Sequence, residues 1–267
     1  MIKDITLGQY FPGNGVLHRL DPRYKIIISG IYIAMLFIGR DYFSLEAGAV
    51  FAVMSVIISG IPVKMICKSI KPIMPLLAIT ALLNLFFITG GDVIFEWKFI
   101  TITYSGLETS VFMIIRIVLL IAGTSLLTYT TSPISLTDAI ERLLGPLKKL
   151  KFPVHELAMM MTIALRFIPT LVEETDKIVS AQKARGSDID GGRLRDKAKA
   201  IVPVIIPLFV SAVRRADELA TAMECRCYRG GAGRTRMKQL KSTSADYIAL
   251  ALSLFFMASV IFVNIVV

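Results

Sequence analysis

Two arginines carry the strongest chemical signal in the chain. Arg185 stands in Ala184-Arg185-Gly186 and Arg226 in Cys225-Arg226-Cys227, and the two lie 41 residues apart. An arginine in the last turn of a helix ordinarily complements the helix dipole. Flanked by residues without bulk, its guanidinium can also enter a groove on another protein and make a two-pronged contact with a carboxylate. Two copies at matching places imply two grooves, and hence a dimeric or pseudo-dimeric partner.

No other residues converge on a reaction. His18 and His155 are isolated and read as surface residues. Gly13-Asn14-Gly15 is a turn with no Gly-Lys-Ser/Thr after it, so there is no Walker A loop. Gly230-Gly231-Ala232-Gly233-Arg234 is glycine-rich and basic, but lacks the preceding strand and following helix of a phosphate loop. Glu173-Glu174 reads as the solvated face of a helix. Cys67, Cys225 and Cys227 form neither a disulfide framework nor a zinc set, and read as reduced thiols. No metal site and no catalytic residue is expected.

The elements that must position the arginines follow from composition. Apolar residues make up 55% of the 267 and charged residues 19%, with a mean hydropathy of +0.67, well above a soluble globular domain. Charge is concentrated between 133 and 246, and the long apolar runs lie before and after it. The chain is therefore predicted to be an all-α integral membrane protein with one large hydrophilic insertion. Met1 to Lys25 is polar and rich in turn residues, so no cleavable signal peptide is expected.

Five spans are predicted: Ile26 to Ile38, Leu45 to Ile61, Ile73 to Thr89, Gly106 to Thr128 and Tyr247 to Val267. This divides the chain into an arm (1–25), spans one to four (26–128), a hydrophilic region (129–246) and a fifth span (247–267). Asp92 to Thr103 reads as a short hairpin or an interfacial segment, where Trp97 would suit the headgroup region. The arm holds four Lys/Arg, the 62–72 loop three, and 133–246 twenty against thirteen acids, while Arg40 and Lys98 lie on the other side. That bias predicts a cytoplasmic N-terminus and insertion, with the C-terminus outside. The net charge of +10 has the same explanation, so no nucleic acid is expected. Arg116 falls inside the fourth span and is expected to pair with Glu46 or Glu108.

Within the insertion, Ser135-Leu136-Thr137-Asp138 is expected to open a short helix running to Leu144, stopped by Gly145-Pro146. Pro153 suits the first turn of a longer one. Met161, Leu165, Ile168, Val172, Thr175 and Val179 recur at steps of 4, 3, 4, 3 and 4, which is one helix face. Val202, Ile206, Phe209, Val213, Ala216 and Ala220 repeat these positions 41 residues on, as Arg226 repeats Arg185. Pro203 and Pro207 break the symmetry, kinking the second helix or marking where it starts. Asp190-Gly191-Gly192 separates the two, and a basic run from Arg234 to Lys241 leads back to the membrane.

The Leu17-His18-Arg19-Leu20-Asp21-Pro22-Arg23 arm, the four-plus-one spans around an insertion and the two Arg-centred tripeptides together resemble the transmembrane T component of energy-coupling factor (ECF) transporters. The resemblance covers nearly the whole chain. Ala184-Arg185-Gly186 matches that family's Ala-Arg-Gly signature in full; Cys225-Arg226-Cys227 keeps only the arginine. The resemblance implies a plasma-membrane scaffold, without catalysis or cofactor of its own, whose long amphipathic helices are cytoplasmic coupling helices. Two ABC ATPase subunits holding ATP and Mg would each receive one signature: Ala184, Arg185 and Gly186, or Cys225, Arg226 and Cys227. A small membrane-embedded substrate-binding subunit would pack on the apolar surface. The helix faces would carry ATP-driven motion to it for uptake of a vitamin or metal ion. The soft residues Met159, Met160, Met161, Ala216 and Ala220 suit a surface that repacks.

Two other classes compete. A self-contained permease would use Arg116 and Glu46 as pathway residues. A membrane enzyme acting on lipid head groups would need a convergent acid/His or metal set near the span ends, and the sequence offers none.

Overall fold

The computed structural model describes residues 10–13, 15–39, 41–88, 90, 93–97, 100–150, 152–187, 194–230 and 240–266. Arg40, the break at Asp190-Gly191-Gly192, the Arg234 to Lys238 part of the basic run and the Trp97 side chain lie outside what is described. The chain divides into two compact units, residues 8–136 with 239–267, and residues 137–238 with 1–7.

The first unit begins with a short α1 (Val16–Arg19), followed by α2 (Pro22–Ile38) and α3 (Tyr42–Ser59). Next come α4 (Val63–Ile70), a 3-10 turn at Lys71–Ile73 and α5 (Met74–Phe87). Residues Val93–Trp97 (β1) and Ile100–Thr103 (β2) pair antiparallel, the hairpin alternative for the 92–103 segment. It leads into α6 (Tyr104–Thr130), and α10 (Ser244–Val266) completes the unit. Apolar sequence drives this packing: Tyr32, Met35, Leu36, Phe51 and Val260 form one core, and Ile61, Ile66, Leu126 and Tyr129 a second. The Pro62 to Lys71 segment is helical rather than a loop. Its lysines Lys64, Lys68 and Lys71 are exposed while Ile66 is buried, as an amphipathic helix requires.

Among the described residues, five helical runs are long and apolar enough to cross a membrane: α3, Val63–Phe87, α6, α8 (Val154–Ala184) and α10. The chain is a multi-pass, predominantly helical membrane protein. The count of five agrees with the sequence, but its membership differs. α2 has 17 residues, about 26 Å of helix against a hydrocarbon core of ~30 Å, yet it packs on α10, α6 and α3 as a member of the bundle. α8 enters by length and composition because its first half, Val154 to Val172, is rich in Leu, Met and Ala.

Polar side chains close the ends of the short α2. At its start, Asp21 accepts from the Arg23 backbone N–H at 2.9 Å and pairs with the Arg23 guanidinium at 2.6 Å. The fully buried Asp246 reaches across 225 residues: its Oδ1 accepts the Asp21 N–H at 2.7 Å, while Oδ2 accepts the Thr243 N–H at 2.6 Å and hydroxyl at 2.7 Å. One carboxylate thus caps α10 and fastens it to α2. Lys25, also buried, donates to the Thr130 carbonyl at 3.0 Å, the Thr131 hydroxyl at 3.3 Å and the His18 carbonyl at 3.4 Å, tying the end of α6 to the arm. At the other end of α2, Asn264 donates to the Ile38 carbonyl at 3.1 Å and Arg116 to the Gly39 carbonyl. Arg116 therefore caps a helix and lies 4.6 Å from the Phe112 ring centroid, rather than pairing with Glu46 or Glu108. A helix that ends early in hydrocarbon leaves carbonyls needing donors, and these side chains provide them.

The second unit contains most of α7 (Pro133–Leu143), a 3-10 segment at Gly145–Leu150, α8 and α9 (Leu194–Cys225). α7 starts earlier than Ser135: Ser132 is its cap, taking the Ser135 N–H on its hydroxyl at 3.3 Å, and Pro133 supplies the first turn. Pro153 likewise stands at the N-cap of α8 rather than within its first turn. α9 contains both Pro203 and Pro207 in its interior, so neither marks its start.

Candidate functional site

Both arginines terminate their helices in the same way. α8 ends at Ala184 and α9 at Cys225, so Arg185 and Arg226 occupy the positions immediately beyond. After Arg185, Gly186 adopts φ +85°, its N–H reaching the Lys183 carbonyl at 3.0 Å while Ser187 N–H reaches Gln182 at 3.0 Å. After Arg226, Cys227 adopts φ +57°, its N–H reaching Glu224 at 2.8 Å while Tyr228 N–H reaches Met223 at 3.0 Å. Each is a Schellman cap, in which a left-handed residue turns the chain and satisfies the last helical carbonyls. Glycine adopts that conformation freely; a side-chain residue pays roughly 1 kcal/mol or more. The differing tripeptides therefore build one backbone geometry. Arg185 and Arg226 are both exposed, and neither guanidinium has a hydrogen-bond or ionic partner among the described residues.

The two helices meet at a point that the repeat also predicts. Glu174 on α8 accepts from the Arg215 guanidinium at 2.9 Å and from the Ser211 hydroxyl. Glu174 and Arg215 are 41 residues apart, so they are themselves equivalent positions. Gln182 donates to the Pro203 carbonyl at 3.4 Å. That carbonyl lacks its usual intrahelical donor because residue 207 is also proline. Contacts advance along α8 as they recede along α9, so the helices run antiparallel where they touch. Arg185 lies 185 − 174 = 11 residues beyond the contact and Arg226 lies 226 − 215 = 11 residues beyond it. Each arginine is thus about 17 Å from the contact at 1.5 Å per residue, on opposite sides of it.

The predicted apolar stripes are distributed differently. On α8, Leu165, Ile168 and Val172 are half-buried and Met161 is exposed. On α9, Val202, Ile206, Phe209 and Val213 are all exposed, at 51%, 58%, 67% and 45%. The face of α9 bonded to α8 carries Val204, Leu208, Ser211 and Arg215 instead, at steps of 4, 3 and 4. His155 is not isolated as its sequence context suggests: its Nδ1 lies 3.1 Å from the Glu141 carboxylate between α8 and α7. Sequence reasoning also missed the Glu174–Arg215 link, although its 41-residue spacing was available as a signal.

Geometry and sequence together define a multi-pass membrane protein with two exposed arginine ends. The family described as CbiQ, cobalt transport protein, matches residues 13–238. A protein of Ruminiclostridium cellulolyticum named energy-coupling factor transporter transmembrane protein EcfT is 54% identical over 261 residues, covering 98% of this chain and 97% of that protein. Proteins of the same name from Clostridium kluyveri and Bacillus subtilis are 57% and 44% identical, covering 93% and 98% of this chain and the same shares of their own lengths. The chain belongs to the family of transmembrane T components of energy-coupling factor transporters.

Proposed function

We propose that this chain couples two cytoplasmic ATPase subunits to a membrane-embedded substrate-binding subunit, with Arg185 and Arg226 as the two docking points. The observation that carries this reading is the matched pair of capped arginine ends, equidistant from an antiparallel helix contact. Such a pair has local two-fold character and fits a partner with the same symmetry, each copy offering a groove lined with carboxylate. ATP and Mg belong to those partners, and this chain carries out no hydrolysis.

Closure of the ATPases around ATP would draw the two ends together or apart, and the Glu174–Arg215 contact would act as the pivot. The exposed stripe Val202, Ile206, Phe209 and Val213 on α9, with Met161, Leu165, Ile168 and Val172 on α8, would pass the movement to the substrate-binding subunit. The arm and coupling region face the cytoplasm in this reading, and the C-terminus lies outside. The transported vitamin or metal ion is recognised in the other membrane subunit. Purification of the tagged chain from its host, with identification of what accompanies it, tests the class. An ATPase pair and a small membrane protein are expected; a chain that transports alone after reconstitution would contradict the reading.

A further inference from the structure

The membrane unit contains a half-open cavity that nothing in the coupling role uses. It has a volume of about 270 Å³ and lies between α2, α3, α6 and α10, with the arm at one end. Tyr32 and Phe51 line its deep end, Ala52, Leu126 and Ala249 its walls, and Val16, Leu17 and Leu20 of the arm its near end. Of its described lining residues only Lys25 is charged, and the Lys25 ammonium already donates to three oxygens of the chain itself.

A cavity of this size with apolar walls does not hold water; apolar cavities of about 150 Å³ in soluble proteins stay dry and accept hydrocarbon guests. In a membrane-spanning bundle the surrounding solvent is hydrocarbon chain. Val16, Ile58 and Ile248 line the cavity and are also exposed, at 56%, 41% and 69%, so it opens to the outside of the bundle beside the arm. Arg19 in α1 is exposed there, one residue from the lining Leu20, and has no ionic partner among the described residues. Arg23, by contrast, is committed to Asp21.

We infer that this cavity is a phospholipid site: one acyl chain enters between α3 and α10, and an anionic headgroup is held at the surface by Arg19. The lipid comes from the leaflet on the side of the basic arm. Its chain fills space that the four helices leave open, and its phosphate meets Arg19, an arm cation with no ionic partner among the described residues.

The full chain is reconstituted in bilayers of equal parts phosphatidylglycerol and phosphatidylcholine, extracted into mild detergent and weighed intact by native mass spectrometry. Wild type is expected to retain one phosphatidylglycerol per chain. Ala52→Phe and Ala249→Phe fill the cavity from two different helices, and each is expected to reduce retention at least tenfold. Helical circular dichroism and melting identify which variants are folded. Phe87→Ala, on a side chain 79% exposed at the end of α5, should retain lipid as wild type does. Arg19→Gln is expected to keep a bound lipid but bind the two headgroups equally. Extraction of wild type without lipid, with a free fatty acid, or with phosphatidylcholine as often as phosphatidylglycerol would overturn the assignment. So would undiminished retention in a folded cavity-filled variant.

Discussion

At the scale of single residues, the tripeptide signatures are helix caps before they are binding motifs. Gly186 stands where φ is +85° and Cys227 where φ is +57°. The glycine of the family signature is therefore favoured by the backbone, while the arginine before it is free to face outward. Cys227→Gly should relieve the left-handed strain and stabilise the end of α9 by about 1 kcal/mol. Amide hydrogen exchange at Tyr228, whose N–H closes that cap, should slow roughly fivefold, as about 1 kcal/mol implies. Gly186→Ala should do the reverse at the end of α8. Arg116 belongs to this scale too. As a cap for α2 it is structural, so Arg116→Leu should lower the melting temperature of the membrane unit, whereas a pathway role would leave melting intact and abolish transport.

At the scale of elements, α8 and α9 are joined by few but specific polar contacts. Glu174 and Arg215 are each partly exposed, with 24% and 28% of their side chains accessible, so their pairing contributes only about 1 kcal/mol. A double-mutant cycle of Glu174→Gln with Arg215→Met, read by the unfolding of the 137–238 unit within the full chain, should return a coupling of that order. The membrane helices are fastened more strongly. Asp246 is 0% exposed and accepts three hydrogen bonds. Asp246→Ala would strand the Asp21 N–H and the Thr243 donors, costing roughly 3 kcal/mol or more. A lower melting temperature, with loss of the α2–α10 contact in cross-linking, is the expected result.

At the scale of the whole molecule, the apolar segments gave away a multi-pass helical membrane protein because hydrocarbon tolerates little else, though α8 replaces α2 among the candidate spans, and the 41-residue repeat gave away the paired helices. Details set by tertiary contact were harder to read. Ser132 caps α7 where Ser135 looked equally suitable, because both are serines beside a helix start. The stripe Val202, Ile206, Phe209 and Val213 has the clearer apolar period, yet the side-chain bonds to α8 come from Ser211 and Arg215, on the face that also carries Val204 and Leu208. Periodicity finds a face but not what covers it. The second signature was the least legible: Cys225-Arg226-Cys227 lacks the glycine that announces a left-handed turn, and only the backbone shows it matching the first. Asp21 was visible in the arm, but its partner Asp246 lies 225 residues away and no local pattern connects them.

The central claim is that the two arginine ends are the docking points for two ATPases. It is tested by co-purifying both ATPases with a tagged chain carrying Arg185→Ala and Arg226→Ala together. Truncating one side of an interfacial charged hydrogen-bond pair costs roughly 2–5 kcal/mol, so each single variant should weaken docking at least tenfold without abolishing it. The double variant should remain inserted and folded in the membrane but emerge without either ATPase. Full recovery of both ATPases with the double variant would contradict the account.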